Sequence, residues 1–278
     1  MSEIKHYKPT TNARRHTSVI NYKKILTGHE PYKKLLERQK EHAGRSHGKI
    51  TVRHRGASGY RKMYRIIDFK RDFPAGFKVI SIEYDPNRTC FICLVSCLNS
   101  GDKKYILHTK NLVVGQKYQT DEIADVGNKV PLSNVPVGTM VSQIELNPGQ
   151  GARVVRSAGS YATVTAKEEK LVTLKLPSGE VRKFQATCTC VVDRIGNEAH
   201  NLVRLGKAGR RRKMGWRPSV RGKVMNPVDH PHGGGEARNS IGMKYPKTPW
   251  GKHALGVKTR DTKKASGKFI VTRRAKKR

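Results

Sequence analysis

Hydrophobic positions are unevenly spread along this 278-residue chain. Between roughly residues 60 and 200 they form short runs punctuated by turn residues; on either side they thin out to isolated pairs such as Val19-Ile20 and Ile25-Leu26. The run at 77–84 alternates with period two, which predicts a strand with Ile80, Ile82 and Tyr84 on one face. Asp85-Pro86-Asn87 supplies a turn. Residues 90–98 are apolar at consecutive positions, which predicts a central strand buried on both faces. Asn99-Ser100-Gly101-Asp102 reads as a hairpin turn, 105–108 as the returning strand and 63–69 as an earlier one. Short antiparallel strands with no long helix between them predict a small closed barrel, because closure removes exposed sheet edges.

A second set follows. The stretch from Val130-Pro131 to Gly138-Thr139 reads as loop. Strands are predicted at 141–146, 161–165, 171–176, 181–184 and 188–193. Asn147-Pro148-Gly149, Lys167-Glu168-Glu169-Lys170 and Pro177-Ser178-Gly179-Glu180 separate the first four. A strand about every ten residues predicts a second barrel of SH3-like size. The organisation is therefore an extension at 1–59, a first barrel at 60–125, a second at 126–200 and an extension at 201–278. The extensions lack periodicity, apart from one or two helical turns expected at 32–41, and their apolar residues are too sparse for a core.

Charge sharpens this division. The chain carries +36, of which residues 1–60 hold +10, residues 61–200 hold +6 and residues 201–278 hold +20. Like charge so crowded repels itself and calls for a polyanionic partner. No run of about 18 apolar residues exists to cross a membrane. The N-terminus lacks the apolar core of a secretory signal, and Glu3 and Lys8-Pro9 weigh against a transit peptide. Five cysteines are an odd number, which fits a reducing compartment and a cytoplasmic protein.

The densest basic cluster runs from Gly206-Lys207 through Arg210-Arg211-Arg212-Lys213 to Trp216-Arg217-Pro218. Arginine forks suit phosphate oxygens, and Trp216 offers a face to a base or to a guanidinium. The plainer alternative is a solvated tail. A second cluster, Asn226-Pro227-Val228-Asp229-His230-Pro231-His232-Gly233-Gly234-Gly235-Glu236, gathers His, Asp and Glu. It is open to three readings: an RNA-contacting loop, a metal site, or a histidine base oriented by Asp229. Pro227 and Pro231 forbid a regular helix there. Cys90 and Cys93 should face opposite sides of their strand, whereas Cys188 and Cys190 share a face with no second pair nearby. All four read as buried small residues rather than metal ligands.

The segment from Met225 to Glu236 resembles the signature loop of the large-subunit ribosomal protein two family, of bacterial type. Other stretches resemble it in order: Tyr7-Lys8-Pro9-Thr10 with Arg14-Arg15; Gly44-Arg45 through Arg53-His54-Arg55-Gly56-Ala57-Ser58-Gly59; Asp68-Phe69-Lys70-Arg71; Ile82-Glu83-Tyr84-Asp85-Pro86-Asn87-Arg88; Gly149-Gln150-Gly151-Ala152-Arg153; Arg156-Ser157-Ala158-Gly159; and Thr248-Pro249-Trp250-Gly251. Two features depart from the family pattern: Ala237 replaces a common glycine, and residues 240–247 read unusually.

The resemblance implies an all-β chain, an OB-fold barrel followed by an SH3-like barrel, with long basic irregular N- and C-terminal extensions set in rRNA. It implies a primary 23S rRNA-binding constituent of the large ribosomal subunit near the peptidyl transferase centre. That role supports subunit association, tRNA positioning and peptide bond formation. Because RNA carries the transfer chemistry, no enzymatic activity is implied; Asp229 and His230 support the centre, and His230 is a positioning residue. The implied partners are 23S rRNA, 16S rRNA or small-subunit proteins at an intersubunit bridge, and neighbouring large-subunit proteins. No membrane and no cofactor is expected beyond Mg2+ associated with rRNA, and no protein metal site.

The basic segments and matched motifs together nominate as rRNA-binding Arg14, Arg15, Arg45, Lys49, Arg53, His54, Arg55, Arg61, Arg71, Arg88, Arg153, Arg156, Lys207, Arg210, Arg211, Arg212, Lys213, Trp216, Arg217, Arg221, Asn226, His230, His232, Arg238 and Trp250. Two other classes compete: a nuclease using Asp229, His230, His232 and Glu236, and a general nucleic-acid compactor.

Overall fold

The computed structural model describes residues 3–28, 30–38, 42–56, 62–118, 124–236 and 239–274. In chain order, the N-terminal segment holds β1 (Ile4–His6), α1 (Asn12–Arg15), β2 (Ser18–Ile20), α2 (Tyr22–Ile25) and β3 (Leu36–Arg38). A small hairpin, β4 (Arg45–Ser46) and β5 (Lys49–Ile50), and β6 (Met63–Arg65) follow. The first barrel is built on β7 (Phe77–Glu83), β8 (Ile92–Cys97), β9 (Lys103–Leu107) and β10 (Lys117–Tyr118), in the antiparallel order β10-β7-β8-β9. The second holds β11 (Lys129–Pro131), β12 (Met140–Ser142), β13 (Ala162–Lys167), β14 (Leu171–Lys175), β15 (Val181–Gln185) and β16 (Thr189–Val192). After α3 (Ala208–Lys213), β17 (Ile270–Thr272) completes its sheet, in the order β11-β16-β12-β13-β14-β15-β17. The chain is all-β, an OB-fold barrel followed by an SH3-like barrel.

Strand β8 explains the packing. Cys93 and Val95 point into the first barrel with Phe73, Phe77, Val79 and Ile82. Ile92 and Leu94 point the other way, into a second cluster shared with Tyr105, Leu107 and two residues of the second barrel, Ala158 and Ile195. The predicted two-faced burial is thus real, and the second barrel supplies the cover for one face. The second barrel keeps a core of its own around Val130, Leu132, Val141, Ile144, Leu174 and Phe184.

The face assigned to β7 needs correction. Its register against β8 slips between Val79 and Ser81, so Ile80 has no partner. Such a bulge moves the inward set across the strand. Phe77, Val79 and Ile82 are buried, whereas Ile80 and Tyr84 are exposed. At the start of the stretch that reads as loop, Lys129–Pro131 is a strand at the sheet edge paired with β16. Proline is tolerated at an edge because no further strand needs its missing N–H. The turn expected at 32–41 is a 3-10 turn at Lys33–Leu35 followed by β3, which pairs with β6; residues 39–41 lie outside those described.

The extensions are also more integrated than their composition suggests. Ile20 is 3% exposed within the first barrel's core, with Ile25 and Leu26 packed beside it. Thr27 ties the segment to β7: its N–H donates to the Ile82 carbonyl and its hydroxyl accepts from the Ile82 N–H. At the other end, β17 adds a strand to β15, with Val181 opposite Thr272 and Arg182 opposite Ile270. The chain divides into two compact units: Met1–Lys40, Arg61–Lys207 and Ser266–Arg278 form one, and Glu41–Tyr60 with Ala208–Ala265 the other. Both barrels belong to the first unit. Among the described residues no helix is long and apolar enough to cross a membrane.

The five cysteines are free thiols. Cys93 faces the first barrel's interior, whereas Cys90, in the bend before β8, joins the inter-barrel cluster. Cys188 and Cys190 share the second core. Burial pushes Cys90 and Cys188 up to about 11 and the other two higher. Such thiols are unreactive packing groups.

The barrels join where 108–111 runs beside 193–196. The Gly196 N–H donates to the His108 carbonyl, Thr109 bridges Ile195, and the Asn111 N–H donates to Asp193. The His108 ring is 6% exposed, and burial lowers its pKa to about 4. An unfolded chain takes up this proton near 6.5, so between those values the unfolded state binds more protons. The group's contribution is full above pH 6.5 and is lost as pH falls toward 4. Urea titrations across that window should show wild-type stability falling by ~3 kcal/mol more than that of His108→Gln.

Candidate nucleic-acid interface

The second compact unit carries 19 Lys and Arg against 4 Asp and Glu, a net of +15 in 78 residues. Its first piece is organised by a hairpin that no strand period announces. His47 and Gly48 both take positive φ, 49° and 75°. Two such residues in succession form the turn that suits a two-residue hairpin. Arg45 then lies opposite Ile50, and Ser46 opposite Lys49. The Gly44 carbonyl closes the base, accepting from the N–H groups of Thr51 and Val52 and from the Thr51 hydroxyl.

Residues 54–56 pair with 215–217. Arg55 bridges Trp216, the Gly56 N–H donates to the Gly215 carbonyl, and the Arg217 N–H donates to the His54 carbonyl. Helix α3 delivers the other side. Arg210, Arg211, Arg212 and Lys213 fall in its last turn, where cations suit the carbonyl end of the helix dipole. Gly215, at φ 88°, turns the chain out of the helix. The Arg55 guanidinium lies 3.8 Å from the Trp216 ring centroid and that of Arg211 lies 5.5 Å away. Within the chain, Trp216 thus has guanidinium groups against its ring. Trp250 is 72% exposed, with Arg53 at 5.9 Å from its ring centroid.

The histidine loop is held by its own rings. The Asn226 carbonyl accepts from the N–H groups of Asp229 and His230. Nδ1 of His230 accepts from the His232 N–H at 3.0 Å, and Nε2 of His232 accepts from the Lys247 N–H at 2.7 Å. Each bond requires a neutral ring with its proton on the other nitrogen. His230 is buried, and its pKa lies below the ordinary imidazole range because of desolvation, the neighbouring His232 ring and the charge of Arg53. Neither ring has a free lone pair while these bonds stand. Asp229 is exposed, and no hydrogen bond joins its carboxylate to His230. Among the described residues no three His, Cys, Asp or Glu side chains converge as metal ligands would.

The remaining nominated residues separate into groups. Arg14 and Arg15 are exposed on α1, Lys207 and Arg221 on loops, and Asn226 at the head of the histidine loop. Arg88 and Arg156 come together around Phe69, with Arg153 near Arg156: the guanidinium groups of Arg88 and Arg156 lie 5.9 and 4.8 Å from its ring centroid, and Arg88 also pairs with Asp85. Burial and the charges of Arg153 and Arg88 lower the Arg156 pKa. Arg71 does not belong at an interface. It is 2% exposed, donates to the Gly127 carbonyl at 2.9 Å and has its pKa lowered to about 10 by burial. Nominated as an rRNA-binding residue, Arg71 instead ties the first barrel to the start of the second. Arg61, Arg238 and the departure at Ala237 lie outside the described residues.

Two family models match the chain. One, for the RNA binding N-terminal domain of Ribosomal Proteins L2, matches residues 32–120; the other, for the C-terminal domain of Ribosomal Proteins L2, matches residues 125–251 and so includes the histidine loop and Trp250. The chain belongs to the ribosomal protein L2 family. It is an RNA-binding structural constituent of the large ribosomal subunit and works in translation.

In this L2 chain a Cβ at Gly222 would lie 2.5–2.7 Å from Cε1, Nδ1 and Nε2 of His230. Gly222→Ala should therefore push the ring off its bond to the His232 amide, at a cost of ~1–3 kcal/mol. The amide resonance of His232 should shift strongly, while the melting of the barrels stays in place. In the unaltered protein the His230 ring should stay neutral to lower pH than a free imidazole. The loop's contribution is present above pH 6.5 and disappears as pH falls through the lowered value; ring nitrogen shifts measured against pH report it.

Proposed function

We propose that this L2 chain is a primary binder of 23S rRNA near the peptidyl transferase centre. There it supports subunit association, tRNA positioning and peptide bond formation, and it supplies no catalytic group. The observation that carries this reading is the net +15 gathered on the unit built from 41–60 and 208–265. Such a charge on 78 residues suits a densely phosphorylated partner. The exposed nominated residues, from Arg14 and Arg15 through Arg45, Lys49 and Arg153 to the α3 arginines, neutralise phosphates. The histidine loop acts as a rigid spacer, with His230 as a positioning residue and Asp229 turned to its surroundings. Contacts with 16S rRNA or small-subunit proteins at an intersubunit bridge, and with neighbouring large-subunit proteins, belong to the same reading, as does a cytoplasmic location. Mg2+ at the site is that associated with rRNA.

Two experiments test it. At moderate salt the protein should sediment with the large particle; recovery only in the soluble pool would overturn the proposal. Changing Arg210-Arg211-Arg212 to Ala should weaken rRNA binding and reduce the slope of log K against log salt by about 2, from three lost contacts to single-stranded RNA. RNA cleavage by the purified chain, abolished by chelator or by His230→Ala, would instead favour the nuclease reading.

A further inference from the structure

A cleft of about 430 Å3 opens within the second unit, lined by Ala43, Arg45, Ile50, Arg53, Arg55 and Arg217. Backbone pairing places Arg45, Ile50, Arg55 and Arg217. The hairpin register puts Arg45 and Ile50 on one face and turns Lys49 to the other. The pairing of 54–56 with 215–217 brings Arg217 beside them, and Trp216 holds the Arg55 guanidinium against its ring.

Four arginines therefore line one concave site, and among the described residues none of the four pairs with a carboxylate. Residues 42–56 contain no Asp or Glu at all. A crowded lysine relieves repulsion by shedding its proton, but arginine keeps its charge at any ordinary pH. Relief must come from an anion. The cleft is not purely ionic, however. Ile50 is 60% exposed at its wall and Ala43 adds a second apolar surface. The volume lies in the range of about 300–1,000 Å3 typical of small-molecule sites. A duplex offers phosphates on a convex ridge and keeps its bases stacked inside, so it fills the charge of such a site and leaves the wall bare. A nucleotide turned out of the stack brings phosphate and apolar surface together.

We propose that this cleft binds one unstacked RNA nucleotide with its flanking phosphates. Arg45, Arg53, Arg55 and Arg217 hold the phosphate oxygens, and Ile50 and Ala43 receive the base or sugar. Trp216 is a positioning residue that keeps Arg55 in place. The inference rests on the rRNA-binding reading and specifies the form of RNA taken by this part of the protein.

The test uses the full chain and two probes of equal phosphate number, a single-stranded oligoribonucleotide and a blunt RNA duplex. Ile50→Ser leaves the charge unchanged at an exposed position. It should weaken single-strand binding three- to tenfold with no change in salt slope and leave duplex binding within twofold. Arg53→Gln with Arg217→Gln should lower the single-strand slope by about 1.4. It should also weaken single-strand binding at least tenfold more than Lys78→Gln with Lys117→Gln, which removes two facing charges from the first barrel's sheet. Equal losses on both probes, or an Ile50→Ser protein with unchanged single-strand affinity, would overturn the inference. If the wild-type chain still sediments with the large particle, that outcome leaves the broader reading intact; if it does not, the broader reading has failed on its own.

Discussion

Strand β8 has apolar side chains on both faces, and the two barrels are arranged around that fact. One row, with Cys93 and Val95, fills the first barrel. The other, with Ile92 and Leu94, would face water if the second barrel did not cover it with Ala158 and Ile195. Burying that second row joins the two barrels into one body. Backbone pairing at 108–111 and 193–196 fixes their register, and Arg71 spans the same region from within. An arginine and a histidine are both drawn into this junction and lose affinity for protons there.

The same economy leaves the charge elsewhere. Barrel interiors cannot hold cations without partners, so most of the excess lies in the terminal segments, +10 in residues 1–60 and +20 in residues 201–278. These segments are given shape by small devices rather than by a large core. They include a two-residue turn at His47-Gly48, a short basic helix stopped at Gly215, an indole held by guanidinium groups, and two histidines used as acceptors for backbone N–H groups. Each fixes the position of a charged or polar group without neutralising it. A structural RNA-binding protein needs that combination, because charge already paired within the chain is lost to the RNA.

The histidine loop shows how chemistry inferred from residue types depends on geometry. Asp, His and Glu within a few residues suggest a base and its orienting carboxylate. The ring nitrogens of His230 and His232 are instead spent on the backbone, and Asp229 makes no bond to His230. The cluster's enzyme-like composition serves to stiffen a segment that proline and glycine would otherwise leave loose.

The pattern of apolar residues determined the presence of two small barrels, the two-faced burial of β8 and the spacing of most strands. Those properties follow from local periodicity, and the charge map followed from counting. Tertiary structure decided what local pattern does not encode. The bulge at Ile80 reversed the inward face of β7, because register belongs to a pair of strands and not to one. The tail strand β17 and the buried Ile20 looked like parts of coreless extensions, because a short apolar stretch finds its place only against a partner distant in sequence. Arg71 passed for a surface cation because its burial is set by chain segments that no short window contains. Motif and charge marked the candidate interface as a basic region. The convergence of four arginines and an exposed isoleucine on one cleft came from pairing 54–56 with 215–217, residues about 160 positions apart, a contact that only the folded chain makes.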